Sequence, residues 1–251
     1  MRAMLAPLVA AFGLLTRLPM PRSVTPDARD LGRSVALYPL VGAVIGAILA
    51  AAAMALSHVH YDLAAPLLVA LWVWLSGGLH LDGLADATDA AVGGMGDRER
   101  ALAIMKDPYV GPMGVIAIVL TLLLMTGGAK VLLLWGDPWL FVCAPVAGRC
   151  ALSALFVTTP YLRADGMGAE QARRAPKAAV WLAILLGLLA CGALGGLRSA
   201  AALILFLPLL WLLRRRLMRR FGGFTGDIAG ALLTQSETTF LILLTVSLSI
   251  G

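Results

Sequence analysis

Charge is what this chain has least of. Only 14% of its 251 residues are Asp, Glu, Lys or Arg, against roughly 25% in a soluble domain. Apolar residues make up 60%. Disorder is excluded by the same figures, because disordered chains combine low hydrophobicity with high charge. Cysteine is scarce too. Cys143, Cys150 and Cys191 lie inside apolar stretches without CxxC spacing, so they read as small buried hydrophobes rather than a disulfide or zinc framework. Of the three histidines, His58 and His60 share a short polar turn and only His80 stands near a run of acids. There is no GKS or GKT ending, which excludes a Walker loop.

Long apolar runs take the place of charge. A helix crossing a bilayer needs about 20 mostly apolar residues. Val35–Ser57, Ala64–Leu81, Gly111–Ala129, Trp139–Thr159, Ala178–Gly196, Ser199–Leu213 and Ile228–Ile250 are such runs, broken only by Arg149 and Glu237. Met4–Leu15 is too short to span alone, and no small-residue cleavage site follows it, so it reads as a retained segment. The expected fold is all-α: a polytopic integral membrane helical bundle of about 6–8 membrane segments, with residues 1–251 forming one catalytic domain. Gly42 and Gly46 are spaced for close helix approach.

The net charge of +6 follows the membrane rather than nucleic acid. Segments 19–34, 82–110, 158–177 and 214–227 hold 15 of the 20 basic residues, whereas 58–63, 130–138 and 197–198 hold only Lys130 and Arg198. This positive-inside bias puts the four richer segments in the cytoplasm. The cluster from Arg214 to Arg220 adds contact with anionic lipid. Oligomeric state stays open, a homo-oligomer included.

The acids carry the chemistry. In His80-Leu81-Asp82-Gly83-Leu84-Ala85-Asp86-Ala87-Thr88-Asp89, a helix puts Asp82, Asp86 and Asp89 at roughly 0°, 40° and −20°, one arc about 60° wide. Three carboxylates on one stripe at the end of an apolar span repel each other, and a hard divalent cation would relieve them. Asp82, Asp86 and Asp89, with Asp227 from across the bundle, are the expected Mg²⁺ ligands and, with Lys106 and Asp107, the expected catalytic residues. Lys106-Asp107-Pro108 precedes a span, where Lys106 can hold a phosphate as a point charge. Gly222-Gly223-Phe224-Thr225-Gly226-Asp227 is a glycine-rich turn entering a helix, so Gly223, Thr225 and Gly226 are expected phosphate contacts. Arg163 is a further one. Which acid serves as general base stays open among Asp82, Asp86, Asp89, Asp107 and Asp227.

Carboxylates, a lysine and glycine turns on one face point to Mg²⁺-dependent chemistry on a diphosphate at the membrane surface. Transfer of a phosphoryl-linked group to an alcohol and transfer of a prenyl group both meet that description. A membrane CDP-alcohol phosphotransferase or a prenyltransferase would need a second multi-Asp cluster or other spacing. A small transporter would place acids at mid-span, and here they sit at span ends.

The run Gly77–Ala90, Ile104-Met105-Lys106-Asp107-Pro108 with Gly111 and Gly114, and the Gly222–Asp227 turn closely resemble the cobalamin synthase family of adenosylcobinamide-GDP ribazoletransferases. Leu15-Thr16-Arg17-Leu18-Pro19 and Tyr38-Pro39-Leu40-Val41-Gly42 fit as well. The resemblance runs through nearly the whole chain. Pro108 departs from it, standing where a serine is expected and removing a hydroxyl there. The resemblance implies a transferase of the bacterial inner membrane, using Mg²⁺. It joins adenosylcobinamide-GDP and α-ribazole, or its 5′-phosphate, to give adenosylcobalamin, or its 5′-phosphate, and GMP.

Overall fold

The computed structural model describes residues 2–166 and 168–249. Among them the chain is helical, and the one piece of extended pairing is an isolated bridge between Tyr161 and Phe224. The helices are α1 (Arg2–Leu15), α2 (Ala28–Ser34), α3 (Tyr38–Ala55), α4 (Tyr61–Ser76), α5 (Leu79–Gly93), α6 (Arg98–Ile104), α7 (Pro112–Trp135), α8 (Cys143–Thr158), α9 (Ala169–Arg174), α10 (Lys177–Phe221) and α11 (Gly226–Ser249).

Five helical stretches are long and apolar enough to cross a bilayer: Ala28–Ala55, Pro112–Trp135, Pro138–Thr158, Lys177–Phe221 and Gly226–Leu248. The first begins earlier than hydropathy suggests, because Asp27 caps α2 with a capping box and a short 3₁₀ turn carries α2 into α3. In the last expected span, Ile250 lies outside the described residues. At 45 residues α10 would be about 68 Å long if straight, more than twice the hydrocarbon thickness. It breaks at Gly196, which has φ 57° and ψ −142°. Ile184 before the break and Phe206, Leu210 and Arg214 after it line one apolar cavity of about 430 Å³. The two arms therefore fold back as a hairpin and make the two spans expected on either side of residue 197.

One expected span is corrected. Ala64–Leu81 is not continuous: α4 ends at Ser76, and α5 departs at 89° to it. Gly77 (φ 76°) and Gly78 (φ 73°) form the corner. Both lie in the left-handed region that only glycine enters cheaply, so the apolar count ran through a bend that it could not register. The expected Met4–Leu15 segment falls within the short helix α1, and its Leu14 and Leu15 line a cavity of about 570 Å³.

Helix α8 is the centre of the bundle. Thirteen of its sixteen residues are buried, and it packs on α3, α10 and α11. The Gly42–Gly46 spacing permits this: a Cβ on Gly42 would lie 2.4 Å from the Pro145 carbonyl oxygen, and one on Gly46 would lie 2.4 Å from the Val142 Cα. The outer helix faces expose Leu182, Leu185, Leu186, Leu189 and Ile204, as a lipid-facing surface should. At the bundle's core a complete ion pair is buried. Arg149 of α8 meets Glu237 of α11 with side chains 0% and 5% exposed, and Trp72 Nε1 of α4 donates to Glu237 Oε1 at 3.2 Å. Both mid-span charges are thus spent on each other.

The two polar ends segregate as the charge pattern requires. Lys130 bonds Asp62, and Arg198 lies over the Trp135 ring at 4.5 Å, all at one end. At the other end α2 packs on α9, α5 on α6, and Arg98 approaches Gly222.

Candidate active site

The site begins at the Gly77–Gly78 corner, which swings α5 across the start of α11. Close contact there depends on Gly83. A Cβ at Gly83 would lie 2.6 Å from the Asp227 carbonyl oxygen and 3.0 Å from its Cα. One turn back along α5, His80 packs its Cα against Gly230. The two helices therefore run antiparallel at contact distance, which brings Asp227 within electrostatic reach of Asp86 on α5.

Asp89 departs from the expected role. Its Oδ2 accepts from the Gly111 amide at 2.8 Å and its Oδ1 from the Gly114 amide at 2.9 Å. It serves as the N-terminal cap of α7, where the free amides and helix dipole favour a carboxylate. A Cβ at Gly111 or Gly114 would lie 2.5 Å or less from this carboxylate. The 60° arc is real, but its two edges face different neighbours.

The second wall comes from a short clasp between distant segments. Leu162 N donates to Phe224 O at 2.9 Å, and Phe224 N donates to Pro160 O at 3.0 Å. The Phe156, Phe224 and Tyr161 rings pack edge-to-face at 5.1 Å spacings. This clasp carries Arg163 to Asp227, with Nη2 3.2 Å from Oδ2. Thr225 is fully buried, its Oγ1 accepting from Ile228 N and donating to Asp227 Oδ2, both at 3.3 Å. Gly223 is pressed against Pro160, 2.4 Å from its carbonyl oxygen as an added Cβ would measure it. Gly223 and Thr225 thus build the turn and cap α11, and neither borders the cavity. Gly226 does.

That cavity has a volume of about 570 Å³, within the range of small-molecule sites. Its rim carries Lys106, Arg163, Asp165, Gly226 and Asp227; its wall is Leu14, Leu15, Leu79, Leu152 and Phe156, with His80 among them. Asp107 is exposed and outside the cavity lining, its Oδ1 accepting from Tyr109 N at 3.0 Å in a local turn.

Electrostatics single out Asp86. Partial burial, followed by the charges of Asp82, Asp227 and Asp89, raises its carboxyl to about 6, while Arg163 opposes the shift. The acids of α5 and α11 therefore act on one another across the helix contact. Among the described residues no three His, Cys, Asp or Glu side chains converge into a ready-made cage.

Three placements escaped sequence reasoning: His80 and Tyr161 at the cavity, and the pairing of Arg149 with Glu237. His80 stands inside the acidic motif and was legible as a residue of interest. Nothing local shows that it reaches the same cavity as Arg163.

Fold and site together define a polytopic helical membrane protein with an acidic, cation-rimmed cavity where helix ends meet. Comparison with known proteins narrows the class. The family model for cobalamin-5-phosphate synthase matches residues 7–245, and the chain belongs to that family. It is 48% identical over 246 residues to the adenosylcobinamide-GDP ribazoletransferase of Pseudomonas paraeruginosa, covering 97% of this chain and 99% of that one. It is 45% identical to the enzyme of that name from Stutzerimonas stutzeri, covering 94% and 96%. No solved structure matches the chain.

Proposed function

We propose that this chain catalyses the reaction its relatives are named for, joining adenosylcobinamide-GDP to α-ribazole or its 5′-phosphate with release of GMP. The observation that carries the reading beyond family membership is the convergence of Asp227, Arg163 and Lys106, from three separate segments, on one cavity, with Asp86 outside its lining but within reach of the charges of Asp227 and Arg163. A ribose hydroxyl of the ribazole gives its proton to a carboxylate of the site and forms a bond to the phosphorus that bears cobinamide, and the bond from that phosphorus to GMP breaks with its electrons on GMP.

Lys106 and Arg163 hold the diphosphate oxygens, Lys106 as a compact charge and Arg163 as a planar fork. The start of α11 at Gly226 adds backbone N–H groups where phosphate charge accumulates. Arg163 also fixes Asp227 through their ion pair, so anion binding and acid placement are coupled. The acids supply hard oxygen donors, and one or two carboxylates plus substrate phosphates suit Mg²⁺, which keeps several waters. One or two of Asp82, Asp86 and Asp227 would hold it, with substrate phosphates completing the set; Asp89 stays with α7. When bound, Mg²⁺ neutralises the diphosphate and the departing phosphate. The basic bias of the segments at this end supports a cytoplasmic active face in a bacterial inner membrane.

The test is GMP formation from adenosylcobinamide-GDP and α-ribazole by purified protein in liposomes, with Mg²⁺ or with chelator. Asp82→Asn and Asp86→Asn should each lose about 10²–10³-fold in rate, with the fold retained. Full rates in both variants would reduce the cluster to a solvated helix end. Undiminished activity without a divalent cation would remove the metal.

A further inference from the structure

His80 is a polar side chain set among Leu14, Leu15, Leu79, Leu152 and Phe156 on the apolar wall of the cavity, where the Tyr161 hydroxyl already accepts from Gly168 N at 3.3 Å. His80 is 7% exposed, it makes no hydrogen bond, and its Nε2 is buried without a partner. Buried polar groups left unpaired are rare and costly, and each asks for a reason. The ring cannot withdraw by moving its helix, because the His80 backbone is pinned against Gly230. Arg149, one turn from the wall residue Leu152 on α8, is held by Glu237 and is not a hydrogen-bond partner for the ring.

Resting on the ribazoletransferase reading, we propose that the apolar wall receives the flat heteroaromatic base of the acceptor nucleoside and that His80 donates a hydrogen bond to its ring nitrogen. The chemistry of the wall favours this occupant over guanine. Guanine carries several donors and acceptors on its edge, and a wall of Leu14, Leu15, Leu79, Leu152 and Phe156 would leave most of them unpaired. A benzimidazole riboside has one free ring nitrogen, and the unpartnered Nε2 of His80 answers it. The rim of Lys106, Arg163 and Gly226 lies beside this wall in the same cavity. A base seated on the wall therefore brings its ribose to the diphosphate, as the transfer requires.

The experiment compares wild type, His80→Phe and His80→Gln in liposomes, measuring KM for α-ribazole, KM for adenosylcobinamide-GDP and the thermal midpoint. His80→Phe should raise the α-ribazole KM about tenfold, the loss of one good hydrogen bond. The KM for the GDP-linked substrate should stay within about twofold, and His80→Gln should recover much of the difference. A second arm needs no substitution. An indole riboside, with CH in place of the ring nitrogen, should bind wild type about tenfold more weakly than α-ribazole, and His80→Phe should not discriminate between them.

Equal use of the two acceptors by wild type, or an unchanged α-ribazole KM in His80→Phe, overturns the assignment while leaving the transferase reading intact. Equal rises in both KM values with a fallen midpoint make His80 a packing residue and also overturn it. Failure of wild type to form GMP from any acceptor overturns the reading itself, and the assignment falls with it.

Discussion

Substituting Gly83 by alanine tests whether helix contact, rather than the acids alone, makes the site. The added Cβ would stand 2.6 Å from the Asp227 carbonyl oxygen, and ordinary contact begins near 3.4 Å, so α5 and α11 must part by about 0.8 Å (3.4 − 2.6). Neither atom in the clash is the end of a flexible side chain, so the backbone itself has to yield. Overpacking of this kind costs about 1–3 kcal/mol. The catalytic cost is larger, because Asp82 and Asp86 move away from Asp227 together, and a misplacement near 1 Å costs about 10²-fold in rate. Gly127→Ala is the control: it sits on an outer face of α7 with no atom within 4 Å of its added Cβ. Rates of GMP release and denaturation midpoints in detergent should show Gly83→Ala about 10²-fold slow and moderately destabilised, with Gly127→Ala normal in both. A Gly83→Ala protein as fast as the control would refute the argument that the α5–α11 contact sets the acid geometry.

Three further outcomes follow from the same structure. Asp86 titrates above its ordinary range, so its stabilising contribution is complete below about pH 4 and lost as pH rises through 6; the thermal midpoint of metal-free protein should fall between roughly pH 4 and 6. Asp86→Asn should flatten that fall, and equal slopes in the two proteins would contradict it. Glu237→Gln strands the buried Arg149 charge and should cost about 3–5 kcal/mol, read as a lower denaturation midpoint, whereas a midpoint at the wild-type value would mean the pair is not closed in the membrane. Single cysteines at Arg98 and Arg219, in a protein lacking Cys143, Cys150 and Cys191, should react with an impermeant thiol reagent only in inverted vesicles, and one at Arg198 only in intact cells; the reverse pattern would put the acids on the wrong side for nucleotide substrates.

The spans were legible because hydropathy is summed over neighbours in sequence, and lipid imposes the same demand on every crossing. Their exceptions are instructive. The run Ala64–Leu81 hides a corner because two glycines change the backbone direction without changing the apolar count. The break at Gly196 lies where the polar interval is only Arg198 and its neighbours, yet the length of α10 already required one. The Gly222–Asp227 turn shows the opposite error. Glycine and threonine before a helix have the composition of a phosphate loop, but pairing of Phe224 with the 160–162 segment buries Gly223 and Thr225, leaving Gly226 and Asp227 at the cavity.

The sequence alone determined the all-helical membrane architecture, the segregation of basic segments to one end, and the stripe of Asp82, Asp86 and Asp89. Those features depend on local period and on contact with lipid or water, which each segment meets independently of the others. Tertiary structure decided which acids share a site. Asp227 reaches α5 because Gly83 lacks a side chain, Arg163 reaches Asp227 because Pro160–Leu162 pairs with Phe224, and Asp89 is drawn off by the exposed amides of α7. Arg149 and Glu237, each costly alone in a span, become a closed pair only when α8 and α11 pack. Each of these partnerships joins residues far apart in the chain, and helix packing sets the distance between them where sequence spacing does not.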